Sequence, residues 1–124
     1  MKNKSEKNRF AWNDHPDYKI EIERCKQPVQ IVYNGETIAD SRHALLVQEQ
    51  EHAPVYYFPQ QDVRIELLSP TKKITFCPYK GDANHWAITV KDQHLEAAAW
   101  CYENPFEQVN IIKNYIAFYP DVID

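Results

Sequence analysis

Cys77 stands three residues before Lys80 in the run Cys77-Pro78-Tyr79-Lys80-Gly81. The thiolate is the nucleophilic form of cysteine, and a neighbouring cation favours it. This pair is therefore the chain's candidate for covalent chemistry. Glu49 with Lys80 forms a second candidate, an acid–base pair. The plainer reading of Cys77 is a small hydrophobe at a strand end, the usual fate of a free cysteine, and no dedicated base is recognisable beside it.

A wider polar set comprises Arg42, Glu49, Arg64, Glu66 and Lys80. Such residues are often surface charges joined in ion pairs of little energetic weight. The sharper reading is a site for a small, anionic ligand, with Arg64 and Lys80 supplying charge and Tyr57, Tyr79 and Trp86 supplying walls. Arg42, His85 and Trp100 complete that expected ligand-binding set. The pocket is expected between the Tyr56 to Arg64 and Phe76 to Trp86 segments. Gly81 is one of only two glycines. With Pro78 fixing φ on one side and Gly81 permitting positive φ on the other, the loop should hold Tyr79 and Lys80 in set directions.

Several chemistries are excluded or disfavoured. Cys25, Cys77 and Cys101 have no CxxC spacing, so four cysteine ligands for zinc cannot be assembled. A mixed site with His43, His52, His85 or His94 has no recognisable spacing either. No metal or cofactor is expected. With glycine only at positions 35 and 81, a phosphate-binding P-loop and a dinucleotide fingerprint are both absent. The formal net charge of −4, with the basic residues partly clustered in the first nine positions (Lys2, Lys4, Lys7, Arg9), lacks the footprint of a nucleic-acid binder. No apolar run is long enough to span a bilayer, and the start carries no signal-peptide core. An odd, sparse cysteine set favours a reducing compartment, so a cytoplasmic location is expected, with a small molecule as partner and no membrane.

The elements that must position these residues read mostly as strands. Tyr18, Ile20 and Ile22 alternate with Lys19, Glu21 and Glu23, the pattern of a half-buried strand. Asn34-Gly35 between Val29–Tyr33 and Glu36–Asp40 is a strong hairpin signal. Ala44–Val47 reads as a buried strand, Gln48–His52 as a loop or strand extension, and Val55–Phe58 as an extended piece between two prolines. Val63–Leu68 alternates and should be a strand stopped by Ser69-Pro70. Strands are also expected over Lys73–Cys77, His85–Lys91, Leu95–Tyr102 and Tyr115–Tyr119. Asn104-Pro105-Phe106-Glu107 resembles a helix start with Asn as N-cap, predicting one short helix to about Lys113. The expected architecture is a mainly β, antiparallel domain over 18–124, with that single C-terminal helix and a flexible 1–17 segment.

Pro54-Val-Tyr-Tyr-Phe-Pro59, Asp62-Val-Arg64, Thr75-Phe-Cys-Pro-Tyr-Lys-Gly81, Trp86, Ala99-Trp100, Tyr102, Pro105 and Ala117-Phe-Tyr119 together resemble the domain of unknown function 427 family. The resemblance runs in order from about Ile31 to Tyr119. It implies a small fold related to the β-tent class, which methionine sulfoxide reductase B also uses, and it carries no catalytic residues over. Two departures from the family pattern are His85, where a second aromatic usually stands beside the tryptophan, and Gln60-Gln61, which replaces a more acidic approach to Asp62. The family is also filed with nucleotidyltransferases, but the residues give that label no mechanism. Gly35 and Gly81 are followed by Glu36 and Asp82, so no Gly-Ser loop exists, and no Asp-x-Asp pair is available for magnesium. The reductase's Cys-x-Asn pattern is also missing at Cys101, because Asn104 lies one residue too far.

Three functions are consistent with this reading: a small-ligand-binding domain, which the aromatic and basic candidates favour; a small enzyme using Cys77 or the Glu49/Lys80 pair; and a protein-interaction module using sheet edges.

Overall fold

The computed structural model describes residues 10–120. Among them the first strand, β1 (Ile20–Arg24), pairs with β4 (Leu45–Glu49), while β2 (Val29–Tyr33) and β3 (Glu36–Ser41) form a separate hairpin between them. Asn34 and Gly35 take φ of 51° and 80°, the positive pair that a two-residue hairpin turn requires. The other strands are β5 (Val55–Phe58), β6 (Leu68–Cys77), β7 (Gly81–Val90), β8 (Gln93–Cys101) and β9 (Ile116–Phe118). Seven strands make one sheet in the order β1-β4-β5-β9-β8-β7-β6, and every pairing is antiparallel. The domain is mainly β, as the alternation predicts.

Strand alternation sends neighbouring side chains to opposite faces, and two cores result. On one face the hairpin residues Ile31 and Ile38 meet Phe58, Ile88, Val90, Ile116 and Phe118. On the other, Leu45, Val47, Tyr57, Ala83, Tyr102 and Ala117 pack with Val109 and Ile112. This second face carries the site.

Two expected elements are corrected. Val63–Leu68 is not a strand: Val63 makes an isolated bridge to Ala39, and Ile65–Leu67 is a single 3-10 turn. Ser69-Pro70 does not stop β6, which begins at Leu68 and runs past Pro70 with an irregularity before Ile74. A proline is tolerated there because β6 is an edge strand with one neighbour. The predicted helix from Asn104 is also replaced. Residues Glu107–Ile112 form 3-10 turns that begin after Phe106 and are interrupted at Val109 (φ −127°, ψ 26°), and no side chain caps them. Six residues are too few to sustain a helix alone, and the β-branched Val109 and Ile112 are buried by tertiary packing instead.

Of the N-terminal segment expected to be flexible, positions 1–9 lie outside the described residues. Beyond them, Ala11 donates its backbone N–H to Pro78 O (3.0 Å), the Trp12 indole N–H donates to Tyr79 O (2.8 Å), and Phe10 meets Phe106 edge-on.

Candidate functional site

The site is built around the loop joining β6 to β7. Cys77 pairs with Gly81, so only Pro78, Tyr79 and Lys80 make the connection. The Lys80 N–H closes the turn onto Cys77 O (3.1 Å), and Pro78 occupies the second turn position, where its fixed φ is favoured. Gly81 has φ of 114° and lies so close to the Asn104 carbonyl that an added Cβ would come within 3.3 Å of it. The Lys80 carbonyl accepts from Phe106 N–H at 3.0 Å. The loop is thereby pinned on both sides, and the Lys80 side chain is directed inward, 9% exposed.

Inside, the Lys80 ammonium donates to Glu49 Oε1 and also to the Cys77 thiol at 3.6 Å. The Tyr18 hydroxyl donates to the other carboxylate oxygen at 2.5 Å. Burial alone would raise the Glu49 pKa, but the hydrogen bonds from Lys80 and Tyr18 and the lysine charge outweigh it and hold the carboxyl below its ordinary value. Burial, followed by the bond to Glu49, pushes the Tyr18 phenol well up. Glu49 sits on β4 and the lysine loop opens β7, four inter-strand steps away in the sheet order. In a flat sheet that is about 19 Å. Their direct contact therefore requires the sheet to curl around this face.

The curl shapes an open cavity of about 610 Å³, its aromatic walls from Tyr18, Tyr57, Phe76, Tyr79, Trp100, Tyr102 and Tyr119, with Glu49, His52, Thr75, Cys77, Lys80 and His85 among its polar groups. Tyr18 lies flat on Tyr79. The Trp100 indole donates to the Tyr57 hydroxyl at 3.2 Å. His85 is buried with both ring nitrogens engaged, Nε2 with Thr75 Oγ1 (2.7 Å) and Nδ1 with the Tyr119 hydroxyl (3.1 Å). Burial, then the Lys73 charge, lowers its pKa, favouring the neutral ring. His85 thus orients Tyr119, which in turn packs on Trp100 with ring centroids 4.6 Å apart.

The structure brings Cys77, Glu49 and Lys80 together, with Tyr57, Tyr79, His85 and Trp100 around the same cavity. It places three expected ligand residues elsewhere. Arg64 is exposed and bound to Glu36 (3.1 Å) and Glu66 (3.0 Å). Arg42 is exposed. Trp86 packs into the hairpin-side core, because it follows the cavity-facing His85 on the same strand and alternation turns it away. Tyr18, Thr75, Tyr102 and Tyr119 were not among the expected residues. Tyr18 had a signal, since it begins the alternating run into β1, but its partner Glu49 is 31 residues distant and their contact depends on the tertiary curl.

Among the described residues no three His, Cys, Asp or Glu side chains converge as metal ligands, and Cys25, Cys77 and Cys101 are free thiols. No helix among them is long and apolar enough to cross a membrane. Residues 21–124 match the family described as Domain of unknown function (DUF427). The chain belongs to that family. No curated protein matches the chain.

Proposed function

We propose that the domain binds a small molecule in this cavity, its flat apolar body between the aromatic walls and a carbonyl or single carboxylate oxygen on Lys80. The observation that supports this is a nearly buried ammonium at the wall of an aromatic cavity of about 610 Å³, a size within the range of small-molecule sites. An ammonium has three donors. Among the described residues Lys80 spends two, on Glu49 and Cys77, which leaves one for a ligand. Lys80 and Glu49 sum to no formal charge, and Arg42 and Arg64 lie off the cavity. The ligand is therefore neutral or singly anionic rather than a polyanion such as a nucleotide phosphate.

The interaction-module alternative has less support. Among the described residues the large exposed hydrophobics Tyr56, Ile74 and Ile111 lie on three different elements, and scattered apolar residues are normal on a protein surface. The free cysteines suit a reducing, cytoplasmic location.

A thermal-shift screen of aromatic ketones, amides and monocarboxylates tests the proposal. Hits should raise the melting temperature of wild type and of Arg64→Ala but not of Lys80→Met. Hits that depend on Arg64 and ignore Lys80 would overturn it.

A further inference from the structure

We infer that the cavity takes an aryl-substituted α,β-unsaturated carbonyl compound and that the Cys77 thiol adds to it, with Lys80 holding the carbonyl oxygen. This rests on the ligand-binding reading and names its substrate class. Three observations converge on it. Cys77 lines the cavity, half-buried at the edge of the core on that face. The Lys80 ammonium stands 3.6 Å from its sulfur, and that ammonium is the group assigned to a ligand oxygen. Seven aromatic side chains, Tyr18, Tyr57, Phe76, Tyr79, Trp100, Tyr102 and Tyr119, also line the cavity and suit a conjugated, planar body.

The spacing fits the addition. In an s-cis enone the oxygen and the β-carbon are roughly 3 Å apart by ordinary covalent geometry. A hydrogen bond of about 2.9 Å from Lys80 to that oxygen leaves the β-carbon able to approach the sulfur at about 3.3 Å, a near-attack distance. The thiol gives its proton to water, the sulfur electron pair forms the bond to the β-carbon, and the alkene pair moves through the α-carbon to leave charge on oxygen. Lys80 stabilises that oxyanion by its hydrogen bond, as positioned donors do where charge develops. A proton from water then ends on the α-carbon. Thiol plus alkene becomes thioether, and neither oxidant nor reductant is required. Cys101 cannot substitute: burial, then the Glu103 charge, pushes its thiol up to about 11, and it packs in the hairpin-side core.

The test uses the full chain with benzylideneacetone as the enone and benzylacetone, its saturated counterpart, as an unreactive competitor. Adduct formation is followed by intact mass and located by peptide mapping, with glutathione as the reference thiol. The expected result is a single adduct on Cys77, at least about tenfold faster than on glutathione, saturating with enone and slowed by benzylacetone. Lys80→Met should lose most of the acceleration and Lys80→Arg should retain part of it. The wild-type comparison with glutathione stands even if Lys80→Met does not fold. An adduct on Cys25 or Cys101 in preference to Cys77 would overturn the inference. If benzylacetone binds and Cys77 still reacts no faster than glutathione, the addition chemistry fails while the ligand pocket stands. If neither ketone binds and no acceleration is seen, this substrate class fails, and the ligand-binding reading is judged by the screen above.

Discussion

Tyr18 lies flat on Tyr79, ring centroids 3.6 Å apart and planes within 4°, while its hydroxyl reaches across to Glu49. One side chain thus joins the segment before β1, the lysine loop and β4. Tyr18→Phe keeps the stacking and removes the bond to the carboxylate. It should cost about 1.5–3 kcal/mol, the usual value for a hydrogen bond to a charged group, measured by urea unfolding. Tyr18→Ala also removes the stack and should cost more. Equal losses would mean that the stack contributes nothing, and an unchanged Tyr18→Phe would mean that the hydroxyl contributes nothing.

The Lys80–Glu49 pair should behave as a coupled unit. Lys80→Met leaves a mostly buried carboxylate with Tyr18 as its remaining hydrogen-bond donor among the described residues, and about 2 kcal/mol of stability should be lost. Removing the charge as well, in Lys80→Met with Glu49→Gln, should recover part of it, so the two single losses exceed the double. Chemical denaturation of the four proteins gives the coupling directly. Additive losses would contradict the pairing.

Acid should weaken the fold in two stages. The His85 pKa is depressed in the folded protein, first by burial and then by Lys73. Its contribution is present above the ordinary imidazole value of 6.5 and is lost as pH falls below it. Glu49 is also depressed, its hydrogen bonds from Lys80 and Tyr18 outweighing burial, so its contribution is present above 4.5 and is lost as pH falls through the lower folded value. A melting-temperature profile of wild type should decline in both windows. Glu49→Gln should flatten only the lower one, and a profile unchanged by that substitution would contradict the assignment.

Gly81 and Gly35 both hold positive φ, but their surroundings differ. A Cβ at Gly81 would press on the Asn104 carbonyl, whereas a Cβ at Gly35 would meet no atom beyond its chain neighbours within 4 Å. Gly81→Ala should therefore cost about 2–3 kcal/mol and Gly35→Ala about 1 kcal/mol, the latter from backbone strain alone. Because Gly81 seats the loop that aims Lys80, Gly81→Ala should also weaken ligand binding, and Gly35→Ala should not. Paired unfolding and binding measurements separate the two effects.

Local signals made much of this molecule legible. Alternation at Tyr18–Glu23 and Asn34-Gly35 marked β1 and the hairpin, and Cys77-Pro78-Tyr79-Lys80-Gly81 marked the shaped loop. The helix signal at Asn104 misled because capping chemistry cannot offset a six-residue length and buried β-branched residues. Site membership depended on which face each side chain took. His85 and Trp86 are adjacent and equally plausible in sequence, yet only His85 faces the cavity. Arg64 was drawn to the site by its chain neighbours, but the 3-10 turn after it and the Glu36 carboxylate hold it at the surface. The meeting of Tyr18, Glu49 and Lys80 depends on sheet curl, and no local pattern encodes that.

Two tryptophans give the most direct test of where the ligand sits. Trp100 lines the cavity, with its indole N–H on the Tyr57 hydroxyl, while Trp86 packs on the opposite side of the sheet. In a nitrogen-15 correlation spectrum each indole N–H gives its own resonance. Titration with a hit from the ketone, amide and monocarboxylate screen should move the Trp100 signal and leave that of Trp86 in place, and Lys80→Met should abolish the movement. A ligand that shifts Trp86 and spares Trp100 would contradict the cavity as the binding site.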